Sequence, residues 1–116
     1  QNELLTEINK KRTENGKPTF LQDAKLDSEA TYLNNKAINE DKALSNQTFQ
    51  EALANNNITG TSQAIGRIYN TWDEILNSIL TEETEDLLDI AWQLIGTNLQ
   101  LDKTGNIHTI VILNNP

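Results

Sequence analysis

Apolar residues recur at helical spacing through the first eighty positions and then change period. Leu4, Leu5 and Ile8 mark one face of a helix predicted over 2–14, which the Asn15-Gly16-Lys17-Pro18 stretch stops. Leu26, Ala30, Leu33 and Ala37 are spaced by four, three and four, a single stripe of a second helix over 23–41 that opens at Asp23. Thr48-Phe49-Gln50-Glu51 reads as a capping box, in which a hydroxyl and a carboxylate satisfy the first free amides of a helix. It opens a short helix over 48–55 that the Asn55-Asn56-Asn57 run ends. Thr71-Trp72-Asp73-Glu74 repeats the box, and Trp72, Ile75, Leu76, Ile79 and Leu80 behind it form the cleanest amphipathic stripe, a helix over 71–80.

Towards the C-terminus alternation takes over, and strands are predicted over 94–101 and 106–113. Leu99 and Leu101 alternate with polar residues, and Asp102-Lys103-Thr104-Gly105-Asn106 makes the turn between the strands. In the second strand Ile107, Val111 and Leu113 point one way while Ile110 and Ile112 point the other. A strand apolar on both faces needs cover on both sides, so the helices are expected to sandwich a small antiparallel sheet. The predicted class is α+β, an α/β/α sandwich, as a single domain over 1–116. With 36% apolar residues and only two each of Phe, Tyr and Trp, the core must be built mainly from Leu, Ile and Ala. Trp72 and Trp92 are read as core rather than as groove linings.

A formal charge of −8 argues against nucleic acid and anionic membrane surfaces, which reward clustered Lys and Arg. The one basic cluster, Lys10-Lys11-Arg12, is read as the solvated face of the first helix. There is no cysteine, which excludes disulfides and thiolate zinc sites, and no apolar run of membrane-spanning length. The chain opens at Gln1 in an already helical pattern and reads as a processed or trimmed product whose targeting information has been removed.

Ile8-Asn9-Lys10-Lys11-Arg12, Asn15-Gly16-Lys17-Pro18, Phe20 and Asp23-Ala24-Lys25-Leu26 occur in that order without a gap. This run resembles the first quarter of the CAP superfamily, the SCP-like or cysteine-rich secretory protein domain. Ala64-Ile65-Gly66, Ile95-Gly96 and the Gly105 turn before a final apolar strand extend the likeness, more loosely, over nearly the whole chain. The resemblance implies the same α/β/α sandwich, and a bacterial protein that is secreted or displayed on the cell surface, as the soluble part of a lipoprotein.

The family's cavity of two His and two Glu, able to hold a divalent cation, is changed at the matching positions. Asn46 follows Ser45 where a His is expected, Gln63 stands for the first Glu, Glu74 matches the second, and Glu83 is the best placement for the second His. Asn and Gln offer neutral amides in place of imidazole and carboxylate, so a transition-metal site loses its preferred ligands. Glu74 carries a second reading, completion of its capping box, which needs no ligand. Tyr69, Trp72 and Leu76 would line an apolar groove if the chain bound lipid or sterol, as CAP relatives do.

The only histidine, His108, has no HExxH or triad motif around it, and a structural or surface role is expected. Glu82, Glu83, Glu85, Asp86 and Asp89 form an acidic patch without the EF-hand pattern, read as a solvated helix. Asn46-Gln47-Thr48 and Asn57-Ile58-Thr59 match the glycosylation sequon. The expectation is a monomeric, non-enzymatic binding module for a protein or lipid partner, with no cofactor. A lipid- or sterol-binding protein is the alternative, and a hydrolase, which lacks a supplied base, ranks third.

Overall fold

The computed structural model describes residues 2–40, 45–55, 57–82 and 87–116. Helix α1 (Asn2–Glu14) buries Leu4, Ile8 and Arg12, spaced by four along one face. It ends as the Lys17 N–H bonds the Arg12 carbonyl at 2.8 Å, with Gly16 at φ 70, a left-handed stop that a side chain would resist. Asn9 then fixes the returning chain, its Oδ1 accepting from the Phe20 N–H at 2.7 Å and its amide donating to the Phe20 carbonyl at 3.4 Å.

Strand β1 (Leu21–Gln22) is two residues long. Asp23 caps α2 (Ala24–Glu40), its Oδ1 accepting from the N–H groups of Lys25 at 2.9 Å and Leu26 at 3.0 Å. Helix α3 (Asn46–Asn55) starts two residues before the predicted box. Ser45, not Thr48, caps it, its Oγ lying 3.2 Å from the Thr48 N–H, while Glu51 accepts from the Gln47 side chain instead. Strand β2 (Thr61–Tyr69) follows, then α4 (Trp72–Asn77), which widens into a π-helical turn over Ser78–Glu82. Strands β3 (Leu94–Leu101) and β4 (Ile107–Asn115) complete the chain.

The sheet order is β1-β3-β4-β2. β4 is central and antiparallel to both long neighbours, whereas β1 runs parallel to β3, so the sheet is mixed rather than wholly antiparallel. The parallel pair arises because β1 enters straight from the α1 turn, its ends held by Leu21 N–H to Gln93 carbonyl and Asp23 N–H to Ile95 carbonyl.

Both faces of the sheet are covered. Val111 and Leu113 meet Leu4, Ile8, Ile75 and Ile79 on the α1/α4 side, and Ile110 and Ile112 meet Leu26, Leu33 and Phe49 on the α2/α3 side. The two-faced last strand is therefore the middle of the α/β/α sandwich.

Arg12 departs from the sequence reading, being 1% exposed rather than solvated. Its Nε donates to the Pro18 carbonyl at 2.6 Å, Nη1 to the Leu87 and Asp89 carbonyls, and Nη2 to the Trp92 carbonyl. One side chain thus ties the end of α1 to the segment that leads into β3. Lys10 is exposed and Lys11 half-buried, so only Lys10 keeps the role assigned to all three.

Candidate functional site

An open cleft of about 240 Å³ lies between the C-terminal half of α2, α3 and the β2–β4 pair. Asn34, Ala37, Phe49, Gly66, Ile68 and Ile110 line it. Small residues create the space. Ala37 ends the buried stripe of α2, and Gly66 presents no side chain beneath Phe49, whose Cζ would stand 3.2 Å from a Cβ at that position. Ile68 is 48% exposed at the rim, and the Nη1 of Arg67 donates to the Gly66 carbonyl at 2.9 Å.

Asn34 and His108, beside the cleft, are engaged within the protein. Asn34, 1% exposed, donates through Nδ2 to the Asn98 carbonyl and Oδ1, both at 2.9 Å, and to the His108 carbonyl at 3.0 Å. Asn98 donates to Thr31 Oγ1 at 3.0 Å and accepts from Gln100 at 2.8 Å. A satisfied network of this kind rigidifies α2 against β3 and β4.

His108 is buried, with Nε2 3.0 Å from Asp102 Oδ2. Asp102 Oδ1 meanwhile accepts from the Thr104 hydroxyl at 2.7 Å, the Thr104 N–H at 2.9 Å and the Asn106 N–H at 3.0 Å. The Thr104 hydroxyl and then His108 and the two amides, working against desolvation, hold the Asp102 carboxyl well below the usual carboxylate range. The pair locks the β3–β4 turn. His108 is thus a buried structural residue.

The sequence-derived cavity set does not map onto this cleft. Gln63 sits on β2 opposite Leu113, two positions from the inward Ile65, and so on the α1/α4 face. Asn46 belongs to the first turn of α3, which packs on the other face, and Glu83 lies outside the described residues. Glu74 is exposed and completes the α4 cap. Its N–H donates to Thr71 Oγ1 at 3.2 Å and its Oε2 accepts from the Asn70 N–H at 3.1 Å. Of the acidic patch, Glu85 and Asp86 also lie outside the described residues. Among the described residues, no three His, Cys, Asp or Glu side chains gather in a way that could hold a metal ion.

The three residues assigned to an apolar groove do not share one surface. Trp72 and Leu76 line a second groove of about 240 Å³ between α4 and α1, but its other walls are Glu3, Thr6 and Glu7. Tyr69 is not part of it. That ring is 9% exposed in the core, and its hydroxyl donates to Ser78 Oγ at 2.8 Å. Trp92 is core, as read from the sequence, and Trp72 is half-buried.

Sequence reasoning missed the cleft because it missed β2. The available signal was Ile65 and Tyr69 on one face with Ala64, Gly66 and Ile68 on the other, an alternation that Gly66 and Arg67 dilute.

No family model and no curated protein sequence matches the chain. Solved structures do. An outer surface protein from Borrelia burgdorferi superposes with a TM-score of 0.83 at 16% identity, over 98% of this chain and 90% of that one. A cysteine-rich secretory protein from Staphylococcus aureus gives 0.80 at 13% identity, over 98% of this chain and 37% of that one. An extracellular protein containing an SCP domain from Bacillus anthracis gives 0.74 at 10% identity, over 94% and 38%. The chain therefore has the CAP, or SCP-like, fold, and spans little more than a third of the last two proteins.

Proposed function

We propose that this chain is a non-enzymatic binding module, secreted or displayed on a bacterial surface through a lipid anchor, and that the cleft beside β2 is where its partner docks. The observation that carries the reading is the cleft itself, which is open while the Asn34 amide and the His108 ring are engaged inside the protein. What it offers a partner is chiefly apolar wall. An outer surface protein and an extracellular protein among the structural neighbours support the location. Asn46, Gln63, Glu74 and Glu83 are, on this reading, positions where the resemblance expects cation ligands that have been exchanged, and Asn46 and Gln63 belong to elements on opposite sides of the sheet.

Size favours a protein side chain over a sterol. Ligand pockets for drug-sized molecules run from about 300 Å³ upwards, and an apolar cavity of about 150 Å³ takes benzene. A cleft of about 240 Å³ suits one bulky side chain. The α1/α4 groove suits a fatty acid poorly, since Glu3 and Glu7 would face its carboxylate.

The test is titration with the neutral dye N-phenyl-1-naphthylamine. Saturable one-site fluorescence enhancement is expected from the unmodified domain, and loss of it from Ala37→Phe, which fills the cleft. No enhancement, or equal enhancement from a folded Ala37→Phe variant, would remove the cleft from consideration.

A further inference from the structure

We propose that the cleft selects a tyrosine side chain of a protein partner, and that His108 Nδ1 is the acceptor that receives its phenol hydroxyl. The proposal rests on the binding-module reading and names the chemistry of the group that the cleft takes.

His108 has a place in the cleft as well as in the β3–β4 turn. It alternates with Ile110 and Ile112 along β4, which puts its ring on the α2/α3 face, and it lines the cleft with Asn34 and Ile68. The contact with Asp102 occupies Nε2 alone. Nδ1 has no hydrogen-bond partner among the described residues. The polar side-chain atoms that are both unpartnered and sealed from solvent are, among those residues, Glu29 Oε2 and Thr109 Oγ1. Nδ1 is therefore open, and the cleft is the opening that His108 lines.

Asp102 decides what that nitrogen offers. The Thr104 hydroxyl, first among its partners, keeps the Asp102 carboxyl ionised. An ionised carboxylate only accepts, so Nε2 must carry the ring proton. In the neutral imidazole Nδ1 is then an acceptor, and the carboxylate behind the ring strengthens it. Its lone pair is a negative point among apolar walls, and the complement is a guest that brings one donor hydrogen. A guest without a donor would strip water from Nδ1 and leave it unpaired, which costs free energy.

Size and shape choose the donor. An apolar cavity of about 150 Å³ takes benzene, so a cleft of about 240 Å³ has room for a phenol, whereas serine or threonine would leave it part-empty. Ile68, Ile110 and Phe49 supply wall for the ring, and Phe49 gives it an aromatic neighbour. Tyrosine carries its hydroxyl at the far end of the ring, where a side chain entering from the surface brings it to the buried histidine. Tryptophan carries its N–H on the flank of a larger ring system. Lysine and arginine also donate, but their charge would lose its water against these walls.

The probes are N-acetyltyrosinamide, N-acetylphenylalaninamide and N-acetyl-O-methyltyrosinamide, the last of which keeps the oxygen and removes its proton. Each is titrated at mildly alkaline pH against the bound naphthyl dye. The tyrosine probe should displace the dye at a roughly tenfold lower concentration than either of the others. His108 is the only histidine, so nitrogen NMR of the labelled, unmodified domain reads its two ring nitrogens without overlap. Nδ1 should resonate as an unprotonated nitrogen in the free domain and move towards the protonated position with the tyrosine probe alone. A folded Ala37→Phe variant should show no such movement. Equal displacement by the three probes with Nδ1 unmoved would overturn the tyrosine assignment and leave an apolar cleft standing, as would failure of all three to displace a bound dye. Nδ1 found protonated in the free domain would overturn it too, since the cleft would then present a donor. Failure of the dye itself to bind would remove the cleft reading, and this proposal with it.

Discussion

The guanidinium of Arg12 stacks on the ring of Phe20, 3.9 Å from its centroid. The contact joins two residues of the family-like N-terminal run, and the same guanidinium reaches the carbonyls of Pro18, Leu87, Asp89 and Trp92. Burial lowers its pKa, with Asp89 opposing the shift, yet a guanidinium stays protonated at any ordinary pH. Lysine brings a point charge, no planar fork and no stacking face, so Arg12→Lys leaves buried carbonyls unpaired. A loss on the order of 3 kcal/mol is expected in urea melts. A loss under about 1 kcal/mol would show that the staple adds little to stability.

That arrangement also shows what the sequence could and could not convey. The stripes of α1 and α2 and the two-faced β4 were legible because each follows one period over several turns or residues. Arg12 was not, since a basic triplet reads as solvated unless carbonyls distant in sequence are known to converge on it. β2 was hidden by Gly66 and Arg67, which interrupt its alternation beside the cleft. The α3 cap was misplaced because Ser45 and Thr48 both precede good helix formers, and only geometry chooses between them. Of the candidate site residues, Trp72 and Leu76 came together, whereas Gln63 and Asn46 belong to elements on different sides of the sheet.

Gly96 marks a close approach of α2 to the sheet. A Cβ there would collide with the backbone carbonyl carbon and Cβ of Leu26 and lie 2.6 Å from the Asp27 nitrogen. Backbone cannot swing aside as a long side chain can, so Gly96→Ala must push α2 off β3. The same shift stretches the bond from the Thr97 N–H to Asp27 Oδ1, now 2.9 Å. A cost of about 2–3 kcal/mol is expected, on the order of 10 °C in thermal midpoint. An unchanged midpoint would mean that α2 is seated more loosely than this packing implies.

Zinc should not bind with submicromolar affinity, on the proposal that the cavity ligands have been exchanged. Gln63 faces the α1/α4 side while α3 packs opposite, and the Glu74 carboxylate is engaged with the Asn70 amide. Zinc prefers nitrogen and sulfur donors set tetrahedrally, which these positions do not supply. Isothermal titration of the unmodified domain and of Asn46→His/Gln63→His is expected to show only weak, acidic-surface binding in both. Tight binding by the unmodified domain, lost on Glu74→Ala, would restore a metal-dependent function.

Two carboxyl groups should give opposite pH signatures. Glu29 is 6% exposed, and its Oε2 is buried without a hydrogen-bond partner, so burial pushes its pKa up. A raised pKa means that folding favours the protonated form. The burial cost is therefore present above the raised value and disappears as pH falls below the ordinary carboxylate range, about 4. Glu29→Gln should gain about 1 kcal/mol at pH 7, and the gain should vanish by about pH 3. Asp102 has its pKa lowered, first by the Thr104 hydroxyl and with help from His108. Its contribution is present above the ordinary range and is lost only as pH falls through the depressed value. Asp102→Asn should therefore be less stable than the unmodified domain at pH 7, with the gap narrowing only below about pH 4. Urea midpoints of the three proteins between pH 7 and pH 3 supply the comparison, and the two variants should approach the unmodified curve from opposite sides. If Glu29→Gln loses stability at pH 7, the carboxylate has a partner whose attraction exceeds the burial cost. If the Asp102→Asn gap keeps its size at acid pH, the β3–β4 turn depends on the shape of that side chain and not on its charge.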